Sequence, residues 1–281
     1  MSLKELRRRI SSVKSTQKIT AAMKMVASAK LRRLQERVHF GHDYIERLNL
    51  IGSHLGKVSQ DLEAKSPWLS AEGTRDLMII FGAEKGLCGS FHSNLIRKIN
   101  QELEKDFNVQ ILVFGPKVID ALKDRHNFHP LLNMDFKKPD MQVFLNLAKA
   151  IEPLKKSKEI GRIHIIGSTF KNILTQQVYS KILCPFTFES PKITCDTNIF
   201  EPSPDVFLPH FFTQYLCANL HHAWLETLTG EMASRMTAMD NATRNAKDML
   251  DNLSLEYNRT RQAQITTELT EIIAGSEGAQ Q

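Results

Sequence analysis

The sequence lacks any stretch of eighteen or so uninterrupted apolar residues; its best short run, Leu77-Met78-Ile79-Ile80-Phe81, suits a buried strand. No bilayer-spanning helix is therefore expected. The opening residues, Met1-Ser2-Leu3-Lys4-Glu5-Leu6, enter a helical pattern at once, without the apolar stretch and small-residue cleavage site of a signal peptide. That predicts a cytosolic chain. Cysteine is sparse. Cys88, Cys184, Cys195 and Cys217 form no CxxC pair and no metal-ligand spacing, so reduced, structural thiols are expected. Proline is absent before Pro67, and the first aromatic residue is Phe40. With 42% hydrophobic and 24% charged residues, the 281-residue chain has the composition of a folded soluble protein of one or two domains.

Catalytic motifs are missing as well. There is no GxSxG, HExxH, GxGxxG or GxxxxGK[ST]. The nearest approach is the turn Phe81-Gly82-Ala83-Glu84-Lys85-Gly86-Leu87-Cys88-Gly89-Ser90, which is glycine-rich and opens a helix. Its amides could hold a phosphate, and Cys88 at a helix N-terminus could have a lowered pKa. A tight strand-to-helix turn with a small buried side chain accounts for it better. The pairs His39-x-x-His42, His126-x-x-His129 and His221-His222 lack a nearby thiol or carboxylate pattern and read as ordinary histidines. No catalytic residue, cofactor or metal site is predicted.

What is present is charge and periodicity. Residues 1–38 hold eleven Lys or Arg against Glu5 and Glu36, a net of nine positive charges in a chain whose total is +6. The cluster Lys4, Arg7, Arg8, Arg9, Lys14 and Lys18 asks for an acidic partner: phosphate backbones, anionic lipid or acidic protein loops. The absence of interleaved aromatics weighs against nucleic acid. Over residues 2 to about 57 apolar positions follow a heptad seam: Leu3, Leu6, Ile10, Val13, then Ala27, Leu31, Leu34, Val38, Ile45, Leu48 and Leu55. Between them Gln17, Thr20 and Lys24 are polar, while Ile19, Ala22, Met23 and Val26 carry an apolar stripe elsewhere. The expectation is a seam that changes faces there.

A second seam, Met232, Met236, Met239, Thr243, Ala246, Leu250, Leu253 and Tyr257, runs through a helix predicted over about 207–275. Beyond Tyr257 the seam positions turn polar, and Ile265, Leu269, Ile272 and Ile273 lie on another side. At ~1.5 Å per residue the two helices would span roughly 80 and 100 Å, too long for a single core, and are expected to pair antiparallel. Between them strands at Leu77–Phe81, Val109–Phe114, Ile163–Ile166 and Gln177–Leu183 alternate with helices at Ser93–Lys105, Val118–Leu122 and Met141–Ile151. This predicts a parallel or mixed α/β sheet with covering helices, inserted between long coiled-coil helices. The expected segments are 1–60 (helix), 61–205 (α/β domain and connector) and 206–281 (helix and tail).

Both ends resemble one family. The run Arg7-Arg8-Arg9-Ile10, continuing through Ser15-Thr16-Gln17-Lys18-Ile19-Thr20-Ala21-Ala22-Met23-Lys24-Met25-Val26-Ala27, is similar to the N-terminal signature of ATP synthase gamma subunits. Ser234-Arg235-Met236-Thr237-Ala238-Met239 and the stretch from Tyr257 to Gly275 resemble its C-terminal signature, and Gly86-Leu87-Cys88-Gly89 matches a central turn. Glu84-Lys85 stands where the family usually has Asp-Arg, which keeps the charges but loses any bidentate arginine contact.

The resemblance implies a non-catalytic rotor shaft of an F-type enzyme of bacterial or mitochondrial kind. The coiled coil would stand inside a hexamer of alpha and beta subunits. The α/β domain would sit with the epsilon subunit on the membrane c-ring, at the cytoplasmic face of the inner membrane. By the same resemblance Met23, Arg235, Gln262, Thr266 and Glu268 would contact beta, Arg235 as a charged partner on the helix surface. Ile265, Leu269, Ile272 and Ile273 would form an apolar bearing tip, and Glu201, in Phe200-Glu201-Pro202, would lie near the ring.

Overall fold

The computed structural model describes residues 2–58, 66–104, 108–123, 140–173, 175–188 and 203–278. Cys195, Glu201, His126 and His129 lie outside the described residues. In chain order the elements are α1 (Leu3–Val58), β1 (Arg75–Phe81), α2 (Phe91–Leu103), β2 (Val109–Phe114), α3 (Pro116–Leu122), α4 (Met141–Lys156), β3 (Ile160–Phe170), β4 (Gln176–Cys184) and α5 (Pro204–Gly278). They divide into two compact units: one of Met1–Ala27 with Met236–Gln281, and one of Ser28–Arg235.

The first unit is a pair of antiparallel helical segments. Its N-terminus is closed by a capping box in which the Glu5 amide donates to Ser2 Oγ (3.2 Å) and the Ser2 amide donates to the Glu5 carboxylate (2.9 Å). Leu6 and Ala27 from α1 are buried with Met239, Ala246 and Leu253 from α5. Contacts descend one helix as they ascend the other: Arg7 donates to Tyr257 OH (3.1 Å), Thr243 Oγ1 to Thr20 Oγ1 (2.8 Å), and Lys24 Nζ to Asp240 (2.6 Å).

The seam therefore does not change faces, as its composition had suggested. Thr20 is buried, Gln17 and Lys24 are half-buried on the pairing side, and Thr20 and Lys24 meet Thr243 and Asp240 of α5. Hydrogen bonding across the seam replaces apolar contact, which fixes register at some cost in stability. Of the expected apolar stripe, Ile19, Ala22 and Val26 are left exposed and Met23 is half-buried; the neighbouring Met25 is exposed as well.

In the second unit the sheet order is β2-β1-β3-β4, with β1 parallel to both β2 and β3, and β3 antiparallel to β4. Six consecutive residues of β1, from Asp76 to Phe81, are buried, as expected of a central strand covered on both faces. Alternation sorts them. Leu77, Ile79 and Phe81 join Phe144, Leu147, Ile151 and the α5 residues Phe212, Leu216 and Leu220, whereas Met78 and Ile80 join Phe91, Leu95, Ile99, Val118 and Leu122 of α2 and α3. α4 is capped by Asp140, whose side chain accepts from the Val143 amide, and α5 begins at Pro204, a position where a missing amide proton costs nothing. Gly115 (φ 118°) precedes Pro116 of α3 and packs against the backbone of Gly82, where a Cβ would lie 2.9 Å from the Gly82 carbonyl carbon.

Within this unit Ser28–Val58 of α1 also runs antiparallel to α5, with Leu31, Leu34 and Leu48 buried and Tyr215 OH donating to Asn49 Oδ1 at 2.7 Å. His222 sits at this contact. Burial, with His42, His221 and Lys181 nearby, holds its pKa down at about 4 against an ordinary 6.5. The folded-state value is the lower one, so between about 6.5 and 4 the unfolded chain binds more protons. Stability should fall as pH drops through that window and level off below it. Thermal melts from pH 7 to 4 should show this slope, and His222→Gln should reduce it; identical slopes would place the acid sensitivity elsewhere.

Candidate partner interface

The glycine-rich turn is held by its own chain. The Glu84 amide donates to Glu231 Oε2 (3.1 Å), so a carboxylate stands where a phosphate would need that proton. The turn's carbonyls face a cation: Arg235 donates to Lys85 O (2.8 Å) and to Gly86 O (3.0 and 3.2 Å). Ser234 Oγ donates to Cys88 O at 2.7 Å. Leu87 (φ 61°) and Gly89 (φ 58°) supply the left-handed conformations that turn these carbonyls toward α5. Burial, and then Glu231, pushes the Cys88 thiol up, which makes it an inert packing group and not an activated nucleophile.

Arg235 is consequently not on the surface, where the sequence had placed it. Its side chain is 8% exposed and paired at 2.5 Å with Glu231, itself 1% exposed. The physical reason is that the turn points the Lys85 and Gly86 carbonyls at α5, and one guanidinium fork satisfies both together with the Glu231 carboxylate. Because the turn is held through its backbone, Glu84 and Lys85 both remain exposed. Glu231 and Ser234 were missed as site residues; the i, i+4 spacing of Glu231 and Arg235 was the available signal.

The other expected contact residues are placed differently. Met23 is half-buried beside the pairing seam, with Met25 exposed close by (67%). Gln262, Thr266 and Glu268 are exposed on α5, where Thr266 Oγ1 donates to Gln262 O (2.9 Å) and Gln264 donates to Glu268 (3.0 Å). Ile265, Leu269, Ile272 and Ile273 are exposed too, the last two at 67% and 57%. Four large apolar residues within nine positions of one exposed helix end are a surface that asks for a partner. The basic side chains Lys4, Arg7, Arg8, Arg9, Lys14 and Lys18 are exposed, with Arg7 also lying 6.0 Å from the Tyr257 ring centre.

A family model described as ATP synthase matches residues 2–278. The ATP synthase gamma chain of Pelagibacter ubique (strain HTCC1062) is 39% identical over 287 residues, covering 98% of each chain. The chain belongs to the ATP synthase gamma family. The gamma chain of Maricaulis maris (strain MCS10) is 36% identical, covering 98% of this chain and 99% of that one. Among solved structures, a chain of the Euglena gracilis mitochondrial ATP synthase OSCP/F1/c-ring assembly in rotational state 3 aligns at TM-score 0.68. It shares 19% identity and covers 98% of this chain and 94% of its own. A chain from the central stalk and c-ring of the Tetrahymena thermophila enzyme aligns at 0.60 with 23% identity, covering 80% and 99%. At those identities the structural likeness speaks to the fold alone.

The gamma family fold is thus two long terminal helices with a mixed-sheet domain between them. The two signature motifs around Gly86-Leu87-Cys88-Gly89 and Ser234-Arg235 meet in this chain as one hydrogen-bonded site. No described helix is long and apolar enough to cross a membrane.

Proposed function

We propose that this gamma-family chain is the central rotor shaft of an F-type ATP synthase, turning inside an alpha–beta hexamer and performing no ATP chemistry itself. Its further partners are the epsilon subunit and the membrane c-ring, and its station is peripheral, at the cytoplasmic face of a bacterial inner membrane. The observation that carries this reading is the division of apolar surface on the paired helices. One set of positions is consumed by the pairing, while Ile19, Met25, Val26 and the Ile265–Ile273 tail stay outside it. A rotating element shifts sites around it only if it touches them unequally. Ile19 and Val26 share one side of α1, and with exposed basic residues along the same helix they supply that inequality.

Met23, Gln262, Thr266 and Glu268 serve beta contacts in this reading, and Ile265, Leu269, Ile272 and Ile273 serve the bearing. Arg235 acts as a positioning residue that holds the Glu84–Gly89 turn in place. A nucleic-acid-binding role for the basic face draws no support from the family. The isolated chain is expected to show no stoichiometric ATP binding by calorimetry and no hydrolysis after ion exchange. Restoring rotation-coupled hydrolysis to alpha and beta subunits should require adding it. Tight ATP binding by the pure chain would overturn the non-catalytic assignment.

A further inference from the structure

Strand β4 (Gln176–Cys184) closes the sheet on one side, and among the described residues it pairs with β3 alone. In an antiparallel pair every other residue of an edge strand turns its N–H and C=O away from its neighbour, so β4 carries a row of unused backbone groups. Natural edges are usually guarded by charge or proline, yet the stretch Gln176-Gln177-Val178-Tyr179-Ser180 has neither. Beside it lies a cleft of about 350 Å³, formed with Asn94, Arg97, Lys98 and Gln101 of α2. Those four positions, spaced i, i+3, i+4 and i+7, share one side of the helix, next to its buried Phe91, Leu95 and Ile99. Successive strand residues point to opposite faces, and the cleft touches Gln176, Gln177 and Val178 in turn, so it runs along the margin of the strand and not over one face.

We propose that this cleft docks an extended acidic segment of a partner protein, which adds a strand to the open edge of β4 and lays a carboxylate on Arg97. Charge decides the sign of the occupant, because the lining holds two cations and no carboxylate. Lys98 is already engaged by Glu102 at 2.7 Å, one turn along α2. Arg97 is exposed, and its partner among the described residues is Asn94 Oδ1 at 3.5 Å, the outer limit of a hydrogen bond. Its guanidinium therefore keeps donors for a carboxylate, which the planar fork takes with two parallel bonds. Gln101 and Gln177, both exposed, add amide groups that can donate to or accept from a peptide main chain. A small molecule fits less well. The volume is at the low end for such ligands, but their pockets are lined mainly by apolar side chains, and here Val178 alone is apolar. Ile182, 50% exposed on the same strand face as Val178, offers an apolar cross-strand contact to the added segment. This inference does not depend on the rotor reading, and its test uses the chain by itself.

The test is fluorescence anisotropy of a labelled peptide that alternates glutamate and valine, titrated with the full chain at fixed ionic strength. Saturable binding at one site is expected. Arg97→Gln, at an exposed helix position, should weaken it roughly tenfold, the loss of one charge-assisted pair, without moving the thermal midpoint. The same peptide N-methylated throughout cannot donate to a strand ladder and should not bind. Arg8→Gln, in the exposed basic stretch of α1, should leave binding intact. No saturable binding, binding that survives Arg97→Gln or N-methylation, or binding lost in the Arg8 variant instead would overturn the proposal. Displacement of the peptide by an equal concentration of free succinate would overturn it too, in favour of a small-anion site.

Discussion

Arg235→Glu is expected to destabilise the isolated chain by about 3–5 kcal/mol, the range for stranding a buried charge. The wild-type guanidinium donates to Lys85 O, Gly86 O and Glu231 in a site where neither charged side chain meets much water. Reversal puts two carboxylates against two carbonyls with no cation between them. Arg235→Lys should fall between the two, since an ammonium cannot reproduce a planar fork spanning both carbonyls and the acid. Urea unfolding of the isolated chain measures this directly. Should Arg235→Glu unfold like wild type yet uncouple an assembled complex, the residue would be a partner contact after all.

The opposite pattern is expected at the C-terminal end. Removing Glu268–Gln281 should leave the unfolding of the isolated chain almost unchanged, because Leu269, Ile272 and Ile273 are already exposed there. In the assembled complex each of those side chains, if fully buried by its partner, contributes about 1.5–3 kcal/mol. Truncation should therefore weaken assembly and torque transmission in a graded way while residual hydrolysis persists. Co-purification of alpha and beta with full-length and shortened chains, alongside melts of each, separates the two effects. A large loss of stability in the isolated truncated chain would mean that the tail packs against its own protein.

Much of the architecture was legible in the sequence for a simple reason: its elements carry unbroken local patterns. The Met232–Tyr257 seam appears in the structure at every expected position, alternating buried and half-buried. Strand β2 has the expected bounds, and β1 and β3 are longer than the apolar runs that announced them because they end in hydrogen-bonded polar residues such as Asp76 and Thr169. Where reading failed, tertiary context had replaced local character. Gln17, Thr20 and Lys24 look like a break in the seam, yet Thr243 and Asp240 of α5 give Thr20 and Lys24 polar partners on the pairing side. Arg235 looks like a surface charge until the turn some 150 residues earlier is placed beside it.

The central claim is that this chain turns within a stationary ring of subunits. The measurement that tests it most directly is a reversible disulfide between a cysteine at Met25 and one on a beta subunit, with ATP hydrolysis assayed before and after reduction. Met25 is exposed, next to residues that α1 pairs with α5 through Lys24 and Asp240, so a tether there grips both helices. A second tether at Ile273, on the exposed tail beyond the seam, serves as control, since a lone helix end can swivel or unwind above the lock. The account predicts that hydrolysis stops when the Met25 tether forms, returns on reduction, and largely survives the Ile273 tether. Full activity with the Met25 tether closed would contradict it.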